Sequence, residues 1–173
     1  MPRLTDEIRS YIGMRTPLQR CCDVVERGAV RRFAQAIMDP DPIYMDPVFT
    51  AGTRYGEPVA PPLFPTAMLR LGFDQPDPVQ ARAQDPNFDG AVASSTYGLP
   101  PLPLDSPIVN GAVDVELIRY ARHGEEVFME ASYADITERE TSKGWMLFVH
   151  YDCRFLDADG QMIMRYRRVQ IRR

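Results

Sequence analysis

The 173 residues are long enough for one domain with a buried core, and 45% hydrophobic with 25% charged residues is an ordinary globular composition that excludes disorder. A net charge of -4 leaves no basic surplus to neutralise phosphates, so nucleic acid is not an expected partner. No apolar run reaches the roughly 18 residues a membrane span needs, and MPRLTDEIRS lacks a signal-peptide pattern, so a cytoplasmic protein without membrane attachment is expected.

Cys21, Cys22 and Cys153 are too few and too oddly spaced for a disulfide framework, and with only His123 and His150 beside them no zinc spacing exists. The thiols read as small buried hydrophobes, and no metal or cofactor is expected.

Thr5 caps a short helix over residues 5–12 that Gly13 ends. Residues 18–25 read as a short strand. From Arg27 to Met38, Val30, Phe33, Ala34 and Ile37 form one apolar stripe opposite Arg31, Arg32 and Gln35, the pattern of a half-buried helix. Asp39-Pro40-Asp41-Pro42 stops it, because a residue before proline is driven out of the helical region. A second helix starts at Asp46-Pro47 and runs towards Gly56. Residues 58–65 are extended, and 66–71 make a helical turn. Residues 72–108, with seven prolines, form an irregular segment too apolar for a linker, the profile of a lid or binding loop.

The last third alternates apolar and polar residues. Val113, Val115 and Leu117 make one strand, Val127, Met129, Ala131 and Tyr133 another, and Trp145 to Phe155 keep period two throughout. Asp157-Ala158-Asp159-Gly160 signals a hairpin, and residues 161–172 return. One early helix followed by an antiparallel meander is an α+β layout that a single domain, residues 1–173, can close.

Met38-Asp39-Pro40-Asp41-Pro42-Ile43-Tyr44, then Asp46, Phe49, Tyr55-Gly56 and Pro58-Val59-Ala60-Pro61-Pro62, resembles the signature of the MaoC-like (R)-specific hydratases, Gly-Asp-x-Asn-Pro-[Leu/Ile/Val]-His with an aromatic-Gly pair and a buried turn behind it. Asp89-Gly90, Leu99 to Leu104, Asn110-Gly111 and Arg122 to Glu126 resemble the FAS1-like dehydratase region, the N-terminal half of two-domain hydratases acting on mesaconyl-CoA and methylfumaryl-CoA. The resemblance implies a hot-dog fold, an antiparallel sheet wrapped around one helix. It also implies hydration of an enoyl thioester on CoA or acyl carrier protein, within fatty acid metabolism.

In that family the aspartate and histidine share the proton transfers, and backbone N–H groups at the helix polarise the thioester carbonyl. Asp39 matches the aspartate. Tyr44 stands at the histidine, Asp41 at the asparagine and Met38 at the glycine. Asp39 and Tyr44 are thus the candidate catalytic pair, in degenerate form, and Asp41, Tyr55, Gly56, Ala60, Pro61, Pro62, Asn110 and Gly111 the candidate substrate-binding residues. The alternative for Asp39, Asp41 and Tyr44 is purely local: capping, turning and packing.

Two-domain relatives pair one intact half with one that has lost the signature. A chain like the latter is expected to join a second hot-dog subunit bearing the aspartate and histidine, as a heterodimer or heterotetramer. The competing readings are a homodimeric hydratase, a hot-dog thioesterase, and a non-catalytic acyl-CoA-binding module. His123 reads as a solvated turn residue and His150 as structural. The arginines of residues 165–173 read as edge-strand charges, with CoA phosphates as the alternative.

Overall fold

The computed structural model describes residues 4–68, 83–84, 97–104, 106–142 and 144–173. Most of the proline-rich segment read as a lid, including Asp89-Gly90, lies outside them. The elements in chain order are α1 (Asp6–Arg9), β1 (Gln19–Arg20), α2 (Arg27–Ala36), a 3-10 turn (Pro42–Tyr44), α3 (Pro47–Ala51), α4 (Phe64–Met68), β2 (Ile108–Leu117), β3 (Phe128–Thr141), β4 (Gly144–Leu156) and β5 (Met162–Arg172).

The strands form one antiparallel sheet in the order β1-β3-β4-β5-β2. Strand β4 puts Leu147, Val149, Tyr151, Cys153 and Phe155 on its core face, each at most 1% exposed. Cross-strand register places Ile136, Tyr133, Ala131 and Met129 of β3 beside them on the same face. From β5 the core face receives Arg172, Gln170, Arg168, Tyr166 and Met164. Val30 and Ala34 of α2 join this same core, and Phe33 meets Phe64 of α4 edge-on at 5.6 Å. Burying large side chains such as Tyr133, Tyr151 and Phe155 contributes about 1.5–3 kcal/mol each. The architecture is α+β, a sheet packed on one principal helix.

The outer face is a ladder of charges. Arg154 pairs with Glu130, Arg165 with Asp152, and Arg167 with Asp114, crossing all four long strands. Strand β5 is therefore interior, between β4 and β2, and its arginines are not edge-strand charges. The edge belongs to β2, whose Val113 and Val115 remain 54% and 38% exposed.

Several local expectations change. Regular pairing of β1 is confined to two residues, because Cys22 and Asp23 bend the chain, although Cys21 and Val25 still donate backbone N–H bonds to Val127 and Glu125. Helix α3 stops at Ala51, with Gly52 closing it, so the stretch to Gly56 is a turn. Strand β3 runs eight residues past Tyr133, because a bulge between Tyr133 and Asp135 shifts the buried set to Ile136. Cys21 and Cys153 are buried but Cys22 is exposed, and none of the three is in a disulfide.

Candidate functional site

Helix α2 ends in a Schellman motif. Asp39 N–H reaches back to the Ala34 carbonyl at 3.0 Å and Met38 N–H to that of Gln35 at 3.2 Å. Met38 sits at the left-handed position with φ of 56°. This is where the resemblance expects glycine, which adopts that conformation without cost. The motif turns the chain so that Asp39 points along the following turn rather than into solvent.

Both carboxylate oxygens of Asp39 are engaged. Oδ1 accepts from the backbone N–H of Asp41 at 3.2 Å, and Oδ2 accepts from the Tyr44 hydroxyl at 2.8 Å. Asp41 in turn caps the 3-10 turn, its Oδ1 accepting from Ile43 N–H at 3.0 Å. The turn swings Tyr44 inward, to 4% exposure. Burial, and then the hydrogen bond to Asp39, push the Tyr44 phenol far above its ordinary range. Tyr44 is therefore a fixed proton donor to Asp39 across physiological pH and cannot act as a base.

Asp39, Asp41 and Tyr44 line a cleft of about 560 Å³ with Arg31, Gln35, Met38 and Asp46. Its walls are one flank of α2 and the loop into α3. The Asp46 carboxylate caps α3 through Val48 and Phe49 N–H.

The other candidates divide. Tyr55 lies in an aromatic group beside the pair, its ring 5.2 Å from that of Tyr120, and Arg54 donates to the Tyr55 hydroxyl at 2.9 Å. Tyr120 also bears electrostatically on Tyr44. Arg54 and Tyr120 were missed in the sequence. Tyr120 follows a strand remote in the chain, and only folding brings it here. Gly56, with φ of 73°, turns the chain behind Tyr55. Ala60 and Pro61 are buried, the first bonded through its N–H to the Ala121 carbonyl at 2.8 Å, and Pro62 is half-buried. They hold the site's backbone and do not line the cleft. Asn110 and Gly111 stand away from the cleft lining on edge strand β2, where a bulge interrupts pairing and the Asn110 amide oxygen accepts from Arg168 at 2.7 Å.

His123 is not a solvated turn residue. Its Nε2 is buried without a partner, and the ring lies against the backbone of Tyr44 and Val59. Burial, with Arg27 second, lowers its pKa, so it is a neutral packing element under the turn that carries Tyr44. His150 is half-buried on the outer face of β4, opposite Asp135 and Val169. Among the described residues no cluster of three His, Cys, Asp or Glu could hold a metal ion.

The architecture has counterparts among solved structures. The ChsH1-ChsH2 complex from Mycobacterium tuberculosis superposes with a TM-score of 0.68 at 17% identity, over 95% of this chain and 90% of that one. The C-terminally truncated HadBC 3R-hydroxyacyl-ACP dehydratase complex from the same organism gives 0.62 at 18% identity, over 93% and 96%. A MaoC-like dehydratase from Rhodospirillum rubrum gives 0.59 at 19% identity, over 94% and 93%. At such identities the likeness establishes the hot-dog fold. In sequence, a UPF0336 protein of Thermobifida fusca (strain YX) is 37% identical over 67 residues, 39% of this chain and under half, 43%, of that protein. The model of the FAS1-like dehydratase domain region matches residues 10–166, and the chain belongs to that family.

Proposed function

We propose that this protein is a subunit of an enoyl-thioester hydratase or 3-hydroxyacyl dehydratase, shaping the acyl pocket while a second hot-dog chain supplies the full aspartate–histidine pair. The observation that carries this reading is the 2.8 Å hydrogen bond from Tyr44 to Asp39 where the hydratase signature has histidine. Hydration adds hydroxyl to the β-carbon and a proton to the α-carbon, so one group must take a proton from water and one must deliver a proton. Asp39 is an acceptor. Tyr44 can only donate, and it donates to Asp39, so it does not replace the signature histidine as an exchanging base. Membership of a dehydratase family, and likeness to the two-chain complexes ChsH1-ChsH2 and HadBC, support the pairing. CoA or acyl carrier protein bears the acyl group in this reading, and no cofactor takes part.

The test is reconstitution with a small hot-dog protein carrying Gly-Asp-x-Asn-Pro-x-His, sought among neighbouring open reading frames. Hydration of an enoyl-CoA by the purified pair is expected to exceed that of either chain about a hundredfold, the scale of one positioned acid–base group. Full-rate hydration by the lone chain, unaffected by Asp39→Ala, would overturn both the assignment and the site. Steady release of free CoA from a saturated acyl-CoA would point instead to hydrolysis.

A further inference from the structure

The cleft beside Asp39 opens on a face that the chain leaves apolar. Met38 and Val48 are 87% and 84% exposed, and Ile37 and Phe49 are each 47% exposed. Met38 and Pro47 line the cleft, so these four residues stand in its lining or next to it, at the end of α2 and the start of α3. Met38 also holds a left-handed backbone, φ 56°, that a glycine takes without strain. Its side chain is too exposed for packing within the chain to offset that strain, which points to a contact outside the chain.

The charges of the cleft say what kind of contact. Asp39, Asp41 and Asp46 line it together with a single arginine, Arg31, which donates to the neutral Gln35 at 3.0 Å. The three carboxylates accept from backbone N–H groups and from the Tyr44 hydroxyl, and those bonds orient them without neutralising them. On the outer face of the sheet Glu130, Asp152 and Asp114 each meet an arginine. Among the described residues none of the three cleft aspartates is in an ion pair. An apolar border around unpaired carboxylates matches an apolar surface that carries a cation. It repels phosphates, and a second copy docked cleft to cleft would bring like charges together.

We propose that this border and cleft are the docking surface for the partner chain, which covers Met38 and Val48 with an apolar segment and turns a lysine or arginine towards Asp39, Asp41 and Asp46. The identity of the occupant rests on the two-chain reading above. The place and chemistry of the surface rest on the exposed side chains and the unpaired charge.

The affinity between the purified full chain and the hot-dog chain used for reconstitution, measured by biolayer interferometry, tests this. Val48→Glu and Met38→Gly are each expected to weaken the pair about tenfold, the scale of one interface anchor. Because Met38→Gly should stabilise the lone chain, weaker pairing by that variant cannot come from misfolding. Arg31→Gln deepens the negative charge and should tighten the pair about threefold at low salt, with the gain fading as salt is added. Looser pairing by Arg31→Gln overturns the basic partner. If Val48→Glu and Met38→Gly pair like the native chain while Val113→Glu on the β2 edge breaks the pair, the interface is the sheet edge. That result overturns the proposal and leaves the two-chain reading standing. If the chain is a dimer by itself and Val48→Glu splits it, a second copy is the occupant, and both the proposal and the two-chain reading fall. Failure of every hot-dog chain to bind overturns both as well.

Discussion

The contact between Tyr44 and Asp39 gives each residue a restricted chemistry. A phenol that is 4% exposed, and whose proton is held by a carboxylate at 2.8 Å, neither ionises near neutrality nor turns away to meet water. Asp39 keeps its orientation through the same bond and through Asp41 N–H. Tyr44→Phe removes the donor and leaves the ring packing intact. The expected loss of stability is about 1 kcal/mol, the low side for a hydrogen bond to a charged group because Asp39 is only half-buried. Urea denaturation of the variant measures it, and an unchanged midpoint would show that the bond does not hold the turn. The identities of Asp39 and Tyr44 and their spacing were legible in the sequence, since both lie in one short segment. Their neighbour Tyr120, and Arg54 acting through Tyr55, were not, because nothing local marks a tyrosine after a strand as part of a turn elsewhere.

Helix α2 shows how an element's boundary sets the site. The apolar stripe predicted a helix to Met38, but it ends at Ala36 with Ile37 as its cap. The last residues are given over to the Schellman turn that aims Asp39. Met38 occupies the left-handed position of that turn while 87% exposed, so it bears backbone strain with little packing in return. Met38→Gly relieves about 1–2 kcal/mol of left-handed strain and gives back part of it as unfolded-chain entropy. A net gain of about 0.5 kcal/mol is expected in thermal or chemical unfolding, and destabilisation would mean that the Met38 side chain has a structural contact. The strands tell a parallel story. Period-two patterning located β4 and β5 closely, but it ended early in β3, because the bulge after Tyr133 moves the buried positions out of phase.

Across the whole molecule, charge is sorted between two faces of one sheet. The outer face pairs its arginines, and the hydrogen bond from Arg165 holds the Asp152 carboxyl below its ordinary range. A folded-state pKa below the unfolded one means that the contribution to stability is present above the usual carboxylate value and is lost as pH falls through the folded value. Asp152→Asn should therefore cost about 1 kcal/mol at neutral pH, modest because Arg165 is partly exposed. The gap to the native protein should close as pH drops below about 4. Denaturation curves at a series of pH values check this, and a gap that stays constant with pH would assign the loss to packing. The inner face instead encloses Arg172 and Gln170, and Arg172 donates to the Ser106 carbonyl. By itself the sequence determined the fold class, the family frame from Arg27 to Pro62 and the substitution at the histidine position, because periodicity, capping and motif spacing are properties of neighbours along the chain. Only the tertiary structure decided that Asn110 is not among the residues lining the cleft with Asp39, that β5 is interior, and that buried donors gather at Arg172. Those facts depend on strand order and on which face a residue shares across strands, and neither is written in any local stretch of residues.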